Sequence, residues 1–378
     1  MRVALVHDWL TGMRGGEKVL ELLLEAFPGA PLYTLLHVPG SVSAAIESHP
    51  IRTAFIQHLP GAARRYRHYL PLFPLAIESL DLGDFDVVLS SSHCVAKGVR
   101  LRAGARHLCY CHAPMRYAWD QYEAYFGERR DFLGRAVLPR VMASLRAWDR
   151  RTATRAQRYL ANSENVRRKL IAFWGLAPAR CRVLPPPVDA EFYTPGPPGP
   201  DLPAAAAAGD YYLIVSAMVP YKRLDLALAA FAGGRRRLLV AGDGPDAARL
   251  RALAAGDPAI AFLGRQDDAA LRALYRAARA FILAGEEDFG ITPLEAQACG
   301  RPVLALGAGG ALETVIDGET GLFFTERSAA SLQAAMGRLE ARIWDPALAR
   351  AQAERFGKPR FRAALRRELA DFLGEAPA

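Results

Sequence analysis

The chain has 378 residues, 51% of them hydrophobic and 23% charged, a balance that suits two packed domains and excludes a disordered chain. No run of about 18 apolar residues is present, which excludes a spanning helix, and five scattered cysteines argue against a disulfide framework and for a reducing cytoplasm. The net charge of +9 is uneven: residues 1–188 hold 26 Lys and Arg against 15 Asp and Glu, a net +11, and the rest is −2. The first half is therefore expected to face an anionic partner, whether nucleic acid, a membrane surface or a phosphorylated substrate.

In chain order, residues 3–7 form a short apolar run before His7-Asp8, which predicts a buried strand and not a signal peptide. A loop over 8–16 and an amphipathic helix over 17–27 follow, then strands over 86–90, 107–111 and 158–162. The stretch 194–210 (TPGPPGPDLPAAAAAGD) predicts an exposed linker. Strands then resume at 211–217, 237–241, 260–263, 280–283 and 302–306, with helical patterns between. Residues 358–374 place Phe361, Leu365, Leu369, Phe372 and Leu373 at helical spacing. The expected architecture is α/β, with two Rossmann-like, doubly wound parallel-sheet domains facing a cleft: residues 1–195, a Pro/Gly/Ala linker 196–210, residues 211–355, and a helix 356–378 returning to the first domain.

The segment 285–310 (GEEDFGITPLEAQACGRPVLALGAGG) carries the densest chemistry. A strand at 280–283 delivers a loop containing Glu287, Phe289 and Gly290. A helix with Pro293 in its first turn follows, placing Glu295 in that turn too, and Gly300 stops it. Two carboxylates aimed into one pocket suit sugar or ribose hydroxyls; the bland alternative is a dipole-complementing Glu295 and a solvated Glu287. Next, Gly309 and Gly310 stand at a strand-to-helix turn, either a phosphate cradle or only a tight turn. Lys222, one of five lysines, follows the strand beginning at Tyr211 and is placed to act as a point charge on phosphate, or as a plain surface lysine.

These residues resemble glycosyltransferase family 4. Glu287 and Glu295, with seven residues between them including Phe289-Gly290-Ile291, are similar to that family's acidic motif. VPYKRLDLALAAF (219–231), AGDGP (241–245), FLGR (262–265), GAGGALETV (307–315) and DGETGLFF (317–324) resemble its second domain. HDWLTGMRGGEKVL (7–20), SSSHCVAKGV (90–99), CYCHAPMRYAWDQY (109–122), ANSENV (161–166) and PPPVDAEF (185–192) resemble a bacterial subgroup that makes cell-surface polysaccharide, often from GDP-mannose. The resemblance implies a GT-B fold with an acceptor-binding first domain, a nucleotide-sugar-binding second domain, and retaining, metal-independent hexosyl transfer with no cofactor. Glu287 would hold donor-sugar hydroxyls, Glu295 the ribose and Lys222 the diphosphate. Phe289, Gly290, Ile291, Gly309 and Gly310 would line the donor, with Gly264 and Arg265 near the base and Gly15 and Gly16 approaching the phosphates across the cleft. His112 would sit at the reacting centre, and Arg116, Tyr117, Trp119 and Asp120 on the acceptor side. One departure stands out: Ala217 occupies the place of the family's usual Arg, leaving Arg223 or Arg265 to supply that contact.

Implied partners are a nucleotide-sugar donor and a lipid-linked or saccharide acceptor. Arg64-Arg65-Tyr66-Arg67-His68-Tyr69 suits an anionic membrane face, which implies a cytoplasmic protein with peripheral membrane contact. No nucleic-acid-binding signature accompanies the charge. The GxGxxA at 242–247 lacks the acidic strand end a nicotinamide site needs. Asp84-Phe85-Asp86 precedes its strand, and Cys109-Tyr110-Cys111-His112 has no second pair, so neither implies a metal. A UDP-sugar enzyme, a non-catalytic nucleotide-sugar-binding protein and an epimerase are the alternatives.

Overall fold

The computed structural model describes residues 1–126 and 136–374. The chain divides into two compact units: Met1–Pro186 with the segment from Arg362 onward, and Pro187–Phe361.

The first unit is built on seven strands, β1 (Val3–His7), β2 (Leu32–Thr34), β3 (Ile51–Thr53), β4 (Val87–Ser92), β5 (Arg106–Cys111), β6 (Arg158–Ala161) and β7 (Cys181–Val183). They are all parallel, in the order β3-β2-β1-β4-β5-β6-β7. A parallel sheet covered on both faces needs continuous apolar strands, and Ala4, Leu5 and Val6 of β1 are fully buried. The second unit repeats the plan with β8 (Tyr211–Val215), β9 (Arg237–Ala241), β10 (Ile260–Gly264), β11 (Ala280–Leu283), β12 (Val303–Leu306) and β13 (Gly321–Phe324), in the parallel order β10-β9-β8-β11-β12-β13. In each sheet the order reverses once, between β1 and β4 and between β8 and β11. Open α/β sheets place ligands at the carboxyl ends of strands at such reversals.

The expected α/β architecture and strand alternation are present. Strands β2, β3, β7 and β13 are not among those read from the sequence, the first three having only three residues each, too short to carry a period. The first helix runs Gly15–Glu25, two residues earlier than expected, because Glu17 and the Arg14 backbone close a capping box. The C-terminal helix Lys358–Leu373 buries Phe361, Leu365, Leu369 and Phe372. Within the first unit, the Phe372 ring lies beneath Arg106 and Arg158, and Asp371 pairs with Arg158 at 2.8 Å and Arg182 at 2.9 Å.

The stretch 194–210 is not the connection between the units. It belongs to the second unit, and the chain crosses at Pro186–Pro187 and again at Phe361–Arg362. It forms no strand or α-helix, only a 3₁₀ turn at Ala204–Ala206, and arginines bind its carbonyls: Arg276 Nε donates to Thr194 O (2.7 Å) and Arg237 Nη2 to Ala205 O (2.8 Å), and Ala206 is buried.

Candidate active site

In the second unit, Lys222 closes a single 3₁₀ turn, Pro220–Lys222, beyond β8, and Glu287 lies in the loop beyond β11. Lys222 Nζ donates to Glu287 Oε1, with the two side chains only 15% and 12% exposed. Backbone contact holds the loops together: a Cβ on Gly285 would lie 2.6 Å from Tyr221 O and 2.7 Å from Lys222 O. Nothing local in the sequence marks Gly285, and only tertiary packing reveals its necessity.

Gly309 and Gly310 serve the same loop. A Cβ on Gly309 would meet Glu287 O at 2.3 Å, and one on Gly310 would meet Phe289 Cα at 2.3 Å. Gly310 N donates to Glu287 O at 2.8 Å. The amide expected to face a phosphate is thus committed to the acidic loop, and the glycines first of all permit close approach. The helix that follows is one turn, Ala311–Thr314.

The helix after the acidic loop begins at Ile291, capped by Gly290 in the left-handed region at φ 98°. Glu295 is therefore its fifth residue and lies in the second turn, beyond the reach of a dipole-complementing role. It is 6% exposed and accepts a hydrogen bond from Tyr275 Oη at 2.8 Å. Burial and the Glu295 charge push the Tyr275 phenol well above its ordinary range. Phe289 is a core residue, packed edge-on against Phe356 at 5.6 Å. Arg223, itself left-handed at φ 52°, pairs with Asp225 at 3.1 Å, whereas Arg265 is exposed beside Gly264. Ala217 is exposed.

In the first unit, the carboxyl ends of β1, β4 and β5 gather His7, Asp8, Ser91, His93 and His112. Asp8 is fully buried, and its carboxylate accepts from the amides of His93, Cys94, Val95 and Ala96 at 2.6–2.9 Å. Four amides on one carboxylate fix the loop after β4. His112 Nε2 and Ser91 Oγ are 2.8 Å apart, and His7 Nδ1 and Ser91 Oγ 3.1 Å apart. A Cβ on Gly16 would lie 3.8 Å from the His112 ring, so Gly16 and His112 do meet, while Gly15 starts the helix. Burial, reinforced by His93, His7 and Arg116, holds the His112 imidazole well below the usual histidine range.

The acceptor-side group is dispersed. Tyr117 Oη meets Cys94 Sγ at 2.7 Å, and Trp119 Nε1 donates to the buried Asp149 at 2.7 Å while its ring stacks on Phe173. Both side chains are turned inward. Asp120 pairs with Lys169 at 2.6 Å, and Arg116 is half-buried. Asp84 and Asp86 stand before β4, Asp86 paired with Arg102. All five cysteines are buried thiols.

Two doubly wound parallel-sheet units of this kind define the GT-B class of glycosyltransferase fold. Anabaena Alr3699/HepE, solved in complex with UDP and glucose, is similar over 100% of both chains with TM-score 0.70 and 16% identity. Sucrose-phosphate synthase from Thermosynechococcus elongatus is similar over 99% of this chain and 100% of that one, with TM-score 0.69 and 17% identity. Residues 13–192 match Glycosyltransferase Family 4, and residues 205–353 match Glycosyl transferases group 1. The two matches together make the chain similar, over most of its length, to the family 4 glycosyltransferases, and the fold is GT-B. A curated relative, D-inositol 3-phosphate glycosyltransferase of Acidothermus cellulolyticus, is 35% identical over 209 residues, 49% of this chain and 46% of the relative. The same-named protein of Geodermatophilus obscurus is 36% identical over 211 residues, 50% of this chain and 46% of the relative. The chain thus matches about half the length of these relatives.

Proposed function

We propose that this protein transfers a hexose, with retention, from a nucleotide-diphosphate sugar to an acceptor hydroxyl. The observation that carries the reading is the Lys222–Glu287 pair, which sets an ammonium and a carboxylate side by side at the β8/β11 reversal. A diphosphate leaving group needs a cation, and sugar hydroxyls need a strong acceptor. Lys222 neutralises the diphosphate, Glu287 takes donor-sugar hydroxyls and Glu295 the ribose. The C1–O bond to the diphosphate breaks as the acceptor oxygen bonds C1, and the acceptor proton passes to the leaving phosphate. No metal is required where Lys222 carries the charge opposite the diphosphate. With Ala217 in place of the usual arginine, Arg265 is the better-placed substitute, since Arg223 is held by Asp225.

The donor we favour is GDP-mannose, on the subgroup resemblance. A second reading, a UDP-sugar donor, is favoured by the similarity to HepE with UDP and glucose bound. The acceptor, lipid-linked or saccharide, belongs to the basic first unit, with Arg116 and Asp120 as its contacts. No helix among the described residues is long and apolar enough to cross a membrane. Exposed Arg64, Arg65, Arg67 and His68 beside exposed Leu72 and Leu75 suit peripheral contact with anionic lipid at the cytoplasmic face. The test is a thermal-shift panel of GDP, UDP, ADP, dTDP and GDP-mannose, with and without EDTA, followed by transfer assays. An EDTA-insensitive rise with GDP and GDP-mannose supports the first reading, and a UDP-only rise supports the second. No rise with any ligand refutes both and favours a non-catalytic protein.

A further inference from the structure

The first-unit cluster contains a directed chain of hydrogen bonds whose polarity follows from counting protons. Ser91 Oγ stands between two imidazole nitrogens, His7 Nδ1 at 3.1 Å and His112 Nε2 at 2.8 Å. A hydroxyl has one proton, so it donates to one ring and accepts from the other. The choice is made at the far end. His7 is fully buried, and its Nε2 has no hydrogen-bond partner but lies 3.8 Å from Glu17 Oε1. Burial opposes ionisation of Glu17, but the polar contact with the His7 side chain outweighs it and holds the carboxyl below its usual range. A carboxylate facing a bare nitrogen lone pair is repelled, and facing an N–H it is attracted. A His7 ring with a single proton therefore carries it on Nε2, so that Nδ1 accepts from Ser91 and Ser91 accepts from the Nε2–H of His112. The other nitrogen of His112, Nδ1, takes no partner among the described residues.

We propose that Glu17, His7 and Ser91 are positioning residues that lock His112 as its Nε2–H tautomer, presenting Nδ1 as a hydrogen-bond acceptor to a substrate hydroxyl. The inference rests on the transferase reading for its substrate, but the proton arrangement stands apart from it. Gly16 packs beside both rings, where a Cβ would stand in ordinary contact at 3.8 Å from His112 and 3.9 Å from His7. The lock works at a distance: Glu17 acts only through His7 and Ser91. It also sets polarity, because an Nδ1 acceptor binds a hydroxyl through the hydroxyl's own proton and makes that oxygen a better acceptor in turn.

The test is ¹⁵N-histidine NMR of the full chain, which separates the two neutral tautomers by long-range correlations, together with steady-state kinetics. The wild type is expected to show His112 only as Nε2–H. Ser91→Ala removes the bridge, and Glu17→Gln keeps a capping-box side chain at that position while removing the charge. Each is expected to give a mixture of His112 tautomers and to lower kcat about 3- to 10-fold with donor KM little changed, the loss of one oriented neutral hydrogen bond. Ser90→Ala is the control: Ser90 bonds His107 at 2.8 Å, outside this chain of bonds, and should leave the His112 signal untouched. An Nδ1–H tautomer in the wild type, or an unchanged Nε2–H signal in both Ser91→Ala and Glu17→Gln, overturns the proposal. If the wild type transfers no sugar, the transferase reading falls, and the tautomer readout still decides the lock.

Discussion

Replacing Glu287 by glutamine and Lys222 by alanine separates the two halves of their ion pair. At 12% and 15% side-chain exposure, the pair is partly desolvated, so each partner's loss is felt more than on an open surface. Lys222 meets either Glu287 or a diphosphate with charge-assisted hydrogen bonds, worth about 1.5–3 kcal/mol, or about 10- to 100-fold in affinity. Lys222→Ala is therefore expected to weaken binding of a free nucleoside diphosphate by that factor. Glu287→Gln should do the opposite to the same ligand. It removes an anion that competes for the ammonium and repels phosphate, so nucleoside diphosphate affinity stays level or rises by up to about 10-fold. Transfer in Glu287→Gln should nevertheless fall by about 100-fold, because the sugar loses its strong acceptor. Isothermal titration with the sugar-free diphosphate reads the first quantity, and initial rates at saturating donor read the second. Equal loss of diphosphate affinity in both variants would show the pair to be a structural brace. Wild-type turnover in Glu287→Gln would remove Glu287 from the chemistry.

Three further outcomes follow from the packing. Gly310→Ala puts a methyl 2.3 Å from Phe289 Cα at an ordinary φ of −69°, so its effect is purely steric; we expect a loss of about 1–3 kcal/mol in urea unfolding and at least 10-fold weaker donor binding, and an unaltered donor affinity refutes the wedge. Lys97 is fully buried on Asp149 at 2.6 Å, with the Trp119 and Trp174 indoles also donating to Asp149 at 2.7 Å; Lys97→Met strands the carboxylate and should cost about 3–5 kcal/mol, which an unmoved denaturation midpoint contradicts. Burial lowers His107 from 6.5 to about 3, so the unfolded chain binds one more proton than the folded chain between those pH values. Its contribution is intact above pH 6.5 and is lost as pH falls towards 3, at up to about 1.4 kcal/mol per pH unit, and His107→Gln should flatten the acid limb of stability, measured by denaturation at fixed pH steps.

How far the site was legible can be judged residue by residue. The sequence places Glu287 and Lys222 beyond strand ends because each follows an apolar run that reads as a buried strand, and the structure puts both there. The sequence puts Glu295 in the first helical turn, one turn too early, since Gly290 starts the helix earlier than Pro293 suggests. Gly309 and Gly310 read as a turn, but their closeness to Glu287 and Phe289 spans loops about 20 residues apart and has no local signal. Tyr117 and Trp119 lie next to His112 in the chain yet point inward, because Cys94 and Asp149 take their polar atoms. Glu17, His7 and Ser91 carry no mark in the sequence that relates them.

Composition and the alternation of short apolar runs with helical periods were sufficient for two doubly wound α/β units, because burying both faces of a parallel strand demands a continuous apolar run wherever the strand lies. Partnership was not contained there. Lys222 reaches Glu287 across 65 residues, and His7 reaches Ser91 across 84, only because β8 lies beside β11 and β1 beside β4 in their sheets. Strand order is a property of the packed chain: it is set by which crossovers bury the most apolar surface together, and no local window of residues holds that sum.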